Sequence, residues 1–321
     1  MLIVINFFRR YFIIYEFLRG YDPLYDFLFS NYMASEGCER QLTSLINAIL
    51  VENNENIIFD LKIVDNKFLS GKVANNRNCI LDLRSKSFDG RVVNIEVQKQ
   101  GEKYFRRRSH LYISREFSNS AEKGGLERLK SHILINIIDF GFCKNNVISR
   151  KFNMIDKTEL NCEYSDCIKI INVNVSAFRK LKEIDFDNPL HRWLVFLDKK
   201  STREMIEMAI SKDENIKIVH EKVEELLKDE AFLHELNKRE QADLKYEGEI
   251  AYAKDEGKKE GIEEGMEKGI KKGKKEGIEE GIEKGIKQTE LNVAKRMKNS
   301  NFSFDDIAKA TGLSLDEIEK L

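Results

Sequence analysis

Proline is nearly absent: Pro23 and Pro189 are the only two among 321 residues, which excludes proline-rich linkers. Long apolar runs are missing as well. The first 20 residues, MLIVINFFRRYFIIYEFLRG, are apolar and aromatic but interrupted by Arg9, Arg10 and Glu16, so they fall short of the roughly 18 uninterrupted apolar residues of a membrane-spanning helix. They also lack the order of a secretory signal, in which basic residues precede the apolar run and small residues follow it. A packed helix or an extension outside the core is expected there, with a membrane-surface helix as the alternative. No stable membrane association is expected. The five cysteines are odd in number and have no paired spacing, which argues for reduced thiols in a cytoplasmic protein. Cys162 and Cys167 are too far apart for a zinc knuckle and have no histidine nearby.

What the chain does have is a core's worth of apolar residues, 41%, together with 34% charged ones. That balance suits one core domain of ordinary size with long solvated appendages.

The most informative stretch runs from Cys79 to Gln98, CILDLRSKSFDGRVVNIEVQ. Cys79, Leu81 and Leu83 alternate with polar or outward positions, as do Ile95 and Val97, and Asp89-Gly90 lies between them as a turn signal. A two-residue loop would set Leu81 against Gln98 and Leu83 against Glu96, pairing apolar with polar side chains along the ladder. A three-residue loop, Phe88-Asp89-Gly90, with Gly90 left-handed, instead pairs Leu81 with Val97 and Leu83 with Ile95. Asp82 then opposes Glu96 on the other face, with Cβ atoms about 5 Å apart. Two like charges at that spacing repel unless a cation lies between them. A hard divalent ion such as Mg²⁺ (or Mn²⁺), bound by one or two carboxylates with positions left for water and phosphate, meets the need.

A solvated hairpin with its polar residues outside would carry the same pattern. The surroundings favour the site: residues 77–115 hold ten Lys/Arg against four Asp/Glu in a chain of net charge −1, and concentrated positive charge beside paired carboxylates is what a polyanionic nucleic acid requires.

Asp82, the hairpin, Glu96-Val97-Gln98 and the following YFRRRSHLYISREF resemble the PD-(D/E)XK nuclease superfamily and, more closely, the Rpn family of recombination-promoting, transposase-like nucleases. The resemblance runs from about Asp22 to the C-terminus. It implies an α/β fold, a restriction-endonuclease-like core with a mixed central sheet flanked by helices, followed by a long C-terminal helical tail. It also implies Mg²⁺ held by Asp82, Glu96 and the Val97 carbonyl, and double-stranded DNA as the substrate. Gln98 stands where the superfamily usually has Lys. The family pattern R-S-x-x-Y-x-S fits Arg108, Ser109, Tyr112 and Ser114, which makes Arg108 a candidate for the scissile phosphate, Tyr112 an accessory residue, and Arg106, Arg107, Lys99 and Lys103 candidate DNA contacts. The opening D-x-x-F-K motif matches at Asp26 and Phe29, with Ser30 in place of Lys. Asp26 is then an accessory ligand or, equally, a surface residue favoured by a helix N-terminus.

Elsewhere the pattern is more structural. Residues 22–50 read as two amphipathic helices, with Leu42, Leu45, Ile46, Ile49 and Leu50 on one face. Residues 56–70 read as strand or irregular chain, and Phe105–Phe117 as a basic helix. Ser131–Phe140 reads as a central strand and IKIINVNV as another strand, with His132 structural. NPLHRWLVFLDK reads as a closing helix, with His191 structural. Thr202–Tyr252 reads as charged helix without a breaker. From Gly257 to Gly285 a glycine recurs every fourth residue. A four-residue step overshoots the helical repeat by about 40°, so this stripe winds around the helix and makes a poor two-stranded seam. The segment is read as a solvated spacer, with homo-oligomerisation through it as the alternative. Ser303 with Asp306 and Ser314 with Glu317 are N-cap signals bracketing a helix-turn-helix-like tail whose acidic second helix suits packing better than DNA.

The expected organisation is therefore residues 1–20 as extension, 21–200 as nuclease core, 201–252 as helical connector, 253–290 as glycine-repeat helix and 291–321 as tail. The expected activity is metal-dependent DNA endonuclease of low sequence specificity. The alternative is a degenerate nuclease fold that binds DNA or assembles without cutting it.

Overall fold

Alternation in residues 83–98 builds the hairpin around which the rest is laid. A computed structural model describes residues 20–35, 37–64, 83–99, 101, 103–121, 129–160 and 162–321. The N-terminal extension (residues 1–19) and the Cys79–Asp82 end of the hairpin lie outside the described residues. Strand β2 (Leu83–Lys86) pairs antiparallel with β3 (Val92–Gln98), Leu83 opposite Ile95 and Lys86 opposite Val92. The Ser87 N–H donates to the Arg91 carbonyl at 2.9 Å across the loop Phe88-Asp89-Gly90, and Gly90 has φ +89°. This is the three-residue turn and register expected from apolar pairing. At Gly90 a Cβ would come within 3.0 Å of the Lys130 Cγ, so Gly90→Ala adds a tight contact to the backbone strain of a left-handed residue. We expect it to lower stability by about 1–2 kcal/mol, measured by urea denaturation; a loss under about 0.5 kcal/mol would contradict the turn assignment.

Six strands form one mixed sheet in the order β1-β2-β3-β4-β6-β5, where β1 is Lys62–Val64, β4 His132–Ile138, β5 Ser149–Ile155 and β6 Glu163–Asn174. Strands β3, β4 and β6 run parallel at the centre. Their residues Val93, Ile95, Ile133, Ile135, Ile137, Ile171 and Val173 all join the main core. Helices α1 (Asp26–Met33), α2 (Glu39–Glu52) and α5 (Pro189–Leu197) share that core, through Phe29 and Tyr32, through Leu42, Leu45, Ile46, Ile49 and Leu50, and through Trp193 and Leu194. Each such large side chain, fully withdrawn from water, contributes about 1.5–3 kcal/mol. Asn188 caps α5 by accepting from the Leu190 N–H at 2.8 Å, and Pro189 follows at the first helical position, where no N–H is needed. His191 accepts from the Asp185 N–H at 3.2 Å and sits edge-on to Phe178, in the short helix α4 (Val175–Phe178).

The stretch read as unbroken helix after Thr202 is three helices: α6 (Arg203–Lys212), α7 (Glu214–Lys228) and α8 (Glu230–Asn299). Aspartates make the breaks. Asp213 accepts from the Asn215 N–H and Asp229 from the Ala231 N–H, each starting a new helix. The breaks let Ala209, Ile216, Val219, Val223, Leu227 and Leu236 turn into the main core. Strand β5 appears where no element was expected.

Contacts divide the chain into residues 1–238 and 239–321. In the second unit every glycine of the repeat is exposed, with no neighbour near its absent Cβ. Lys–Glu pairs four apart, such as Lys268–Glu264 at 2.9 Å, run along the surface and add a few tenths of a kcal/mol each. The unit ends in a small core of Ala294, Ile307, Leu313 and Ile318 formed with α9 (Phe304–Thr311) and α10 (Leu315–Glu319). Ser303 and Ser314 cap these helices as expected, and Gly312, with φ +76°, closes α9. No described helix is long and apolar enough to cross a membrane.

Candidate nuclease site

The second face of the sheet is polar where the first is apolar. Asn94, Glu96 and Gln98 alternate with Val93, Ile95 and Val97 along β3 and so share a face, and Asn136 and Asn172 continue that row on β4 and β6. Helix α3 (Phe105–Ala121) lies over it. Its buried positions, Phe105, Ser109, Ile113 and Glu116, recur at spacings of four, four and three, a helical stripe in which two of four members are polar. Polar groups meet polar groups across the junction. Arg108 donates to the Gln98 Oε1, Arg84 on β2 donates to Glu116, Ser120 lies 2.9 Å from the His132 Nε2, and Asn136 donates to Asn172 at 2.7 Å. Burying such groups is tolerable only when they pair.

Glu96 is 7% exposed on this face, between Asn94 and Gln98. Val97 points the other way and packs on the main core, which leaves its backbone at the end of β3. The Gln98 carbonyl accepts from the Asp139 N–H at 3.0 Å. Asp139 in turn binds Arg179, which also grips Asp198 with distances of 2.5–2.9 Å. Burial disfavours the charged Arg179, but the two carboxylates outweigh it and raise its pKa above the ordinary arginine value. This hub fixes where the last residues of β3 leave the sheet. Sequence reasoning missed it, because its members are 40 and 19 residues apart.

The basic candidates divide. The guanidinium of Arg108 lies 5.9 Å from the Tyr112 ring centre as well as on Gln98. Arg106 covers the Phe142 ring at 4.7 Å and donates to the Phe142 carbonyl at 3.2 Å. Arg107 and Lys103 are exposed and flank Tyr104. Lys99 turns toward the start of the chain, 3.1 Å from Asp22 and over the Tyr25 ring. Asp26 is exposed in the first turn of α1, its carboxylate accepting from the Phe27 N–H at 2.6 Å; Asp22, not singled out from sequence, is the residue that takes both Lys99 and Lys199. His132 is buried between Ser120 and the Lys130 carbonyl, and burial holds its pKa below the ordinary value.

Asp82 lies outside the described residues. Among the described residues no three His, Cys, Asp or Glu side chains gather as a metal-holding group. A Mg²⁺ ion asks for less, one or two carboxylates completed by carbonyl and water oxygens. Buried Glu96, next to the Val97 carbonyl and on the same face as Gln98, which accepts from Arg108, fits that donor chemistry.

A family model described as PD-(D/E)XK nuclease family transposase matches residues 23–253. No curated protein and no solved structure matches the chain.

Proposed function

From the premise that this chain belongs to the PD-(D/E)XK nuclease family transposases, we propose that it is a metal-dependent endonuclease cutting double-stranded DNA with low sequence specificity, in a recombination role. The observation carrying this reading is the side-by-side placement of Glu96, Gln98 and Arg108. In the pairing expected from the sequence, Asp82 stands opposite Glu96. Asp82, Glu96 and the Val97 carbonyl would then hold Mg²⁺ or Mn²⁺. When bound there, the ion supplies charge for the phosphate and lowers the pKa of an attacking water.

The protein's own groups do the rest. Gln98 occupies the usual lysine position without its charge, and Arg108, donating to Gln98, returns a fixed cation to that position. A planar guanidinium suits two oxygens of a scissile phosphate, and the Gln98 amide orients water. The Tyr112 ring, 5.9 Å from the guanidinium, helps hold Arg108. Arg107 and Lys103 are exposed to meet the DNA backbone; Arg106 and Lys99 do so only by leaving their present partners. The free cysteines Cys38, Cys143, Cys162 and Cys167 accord with a cytoplasmic setting.

The test is supercoiled plasmid incubated with purified protein and Mg²⁺, Mn²⁺ or EDTA. Nicking with metal and none with EDTA is expected. DNA binding without cutting under every condition would replace this reading by that of a degenerate nuclease fold kept for binding.

A further inference from the structure

A cavity of about 370 Å³ opens beside α3, between the helix and strands β4, β6 and β5. Its size falls in the range of sites for organic molecules, roughly 300–1,000 Å³. Three phenylalanines wall it: Phe142 stands nearly perpendicular to both Phe105 and Phe152, with ring centres 6.0 and 5.9 Å apart. Its floor is amide. Asn136, 1% exposed, donates to Asn172, 4% exposed, and the Asn172 amide nitrogen makes no hydrogen bond among the described residues. Arg106, clamped on Phe142, supplies positive charge at the rim.

An aromatic wall, an amide edge and a cation at the mouth are the chemistry that recognises a flat heteroaromatic ring carrying hydrogen-bond groups and attached to phosphate. We infer that this cavity receives one unpaired nucleobase of the nucleic-acid substrate, stacked on phenylalanine and read by the Asn136–Asn172 amides. The inference rests on the nuclease reading and narrows its substrate to DNA with an unstacked or extrudable base near the cut. The alternating apolar and amide lining argues against a peptide, which would need a row of backbone partners. Continuity supports it too: the same helix carries Arg108 one residue before Ser109, which reaches Asn136 at 3.4 Å.

The test is binding in EDTA, so that it reads independently of cutting. The probes are a duplex with a single bulged 2-aminopurine, the same duplex fully paired, and free 2-aminopurine riboside. The bulged duplex is expected to bind about 10-fold or more tightly than the paired one, with a change in 2-aminopurine fluorescence. Phe142→Ala and Phe152→Ala, both at partly exposed positions, should each reduce the preference to about twofold while leaving the melting temperature near wild type. Equal affinity for both duplexes overturns the inference, as does a preference untouched by either variant. Saturation by the free riboside without any bulge preference also overturns it, in favour of a small-molecule site. Metal-dependent plasmid nicking with no bulge preference would sink this inference and leave the nuclease reading intact.

Discussion

Glu96→Gln is expected to reduce plasmid nicking by on the order of 10³-fold or more, the scale of losing a group on which a catalytic constellation depends. The substitution preserves shape and removes only the charge. Glu96 is 7% exposed and central in β3, so a neutral amide there should fold without difficulty, and affinity for DNA in EDTA should stay within a few-fold of wild type because the contact surface is elsewhere. Nicking within about tenfold of wild type would mean that another carboxylate carries the chemistry.

The second large effect is on stability. Glu116 is completely buried on the sheet-facing side of α3, and its described ion-pair partner is Arg84 on β2. The pair is joined through a single oxygen: Arg84 Nε and Glu116 Oε2 find no hydrogen-bond partner among the described residues. Arg84→Ala therefore strands a charge in the interior, and we expect a loss of about 3–5 kcal/mol in urea denaturation. Arg84→Leu combined with Glu116→Leu should recover most of that loss, since apolar replacement of both partners removes the desolvation penalty along with the attraction. A loss below about 1 kcal/mol for Arg84→Ala would mean that Glu116 reaches water or another cation. The pair matters to the site because it ties α3, and with it Arg108, to the hairpin that carries Glu96.

The hairpin was legible because apolar pairing has only two registers to choose between, and one of them puts Leu83 against Glu96. Two capping residues were legible for a similar reason: Ser303 and Ser314 each precede a helix with side chains that accept its first N–H groups. Strand β5 was hidden. In SRKFNMI charged and apolar residues follow no clean period of two, as befits an edge strand in which Phe152, Met154 and Ile155 remain exposed. The breaks at Asp213 and Asp229 were readable in principle, since Asp is a strong N-cap, but charged residues on every side mask the signal. Glu116 had a clue of its own: it falls on the buried stripe that begins at Phe105, where a carboxylate needs a partner. Its partner, 32 residues earlier, is visible only once the sheet has formed. Arg108 was expected at the scissile phosphate, and no spacing rule supplies its bond to Gln98.

The most direct measurement is Mn²⁺ titration of the wild-type protein and of Asp82→Ala and Glu96→Gln, followed by calorimetry or by electron paramagnetic resonance of the free ion. Two side chains on adjacent strands that hold one ion predict saturable binding to the wild type and at least about tenfold weaker binding to each variant. Unchanged affinity in either variant would contradict a shared ion between those two strands.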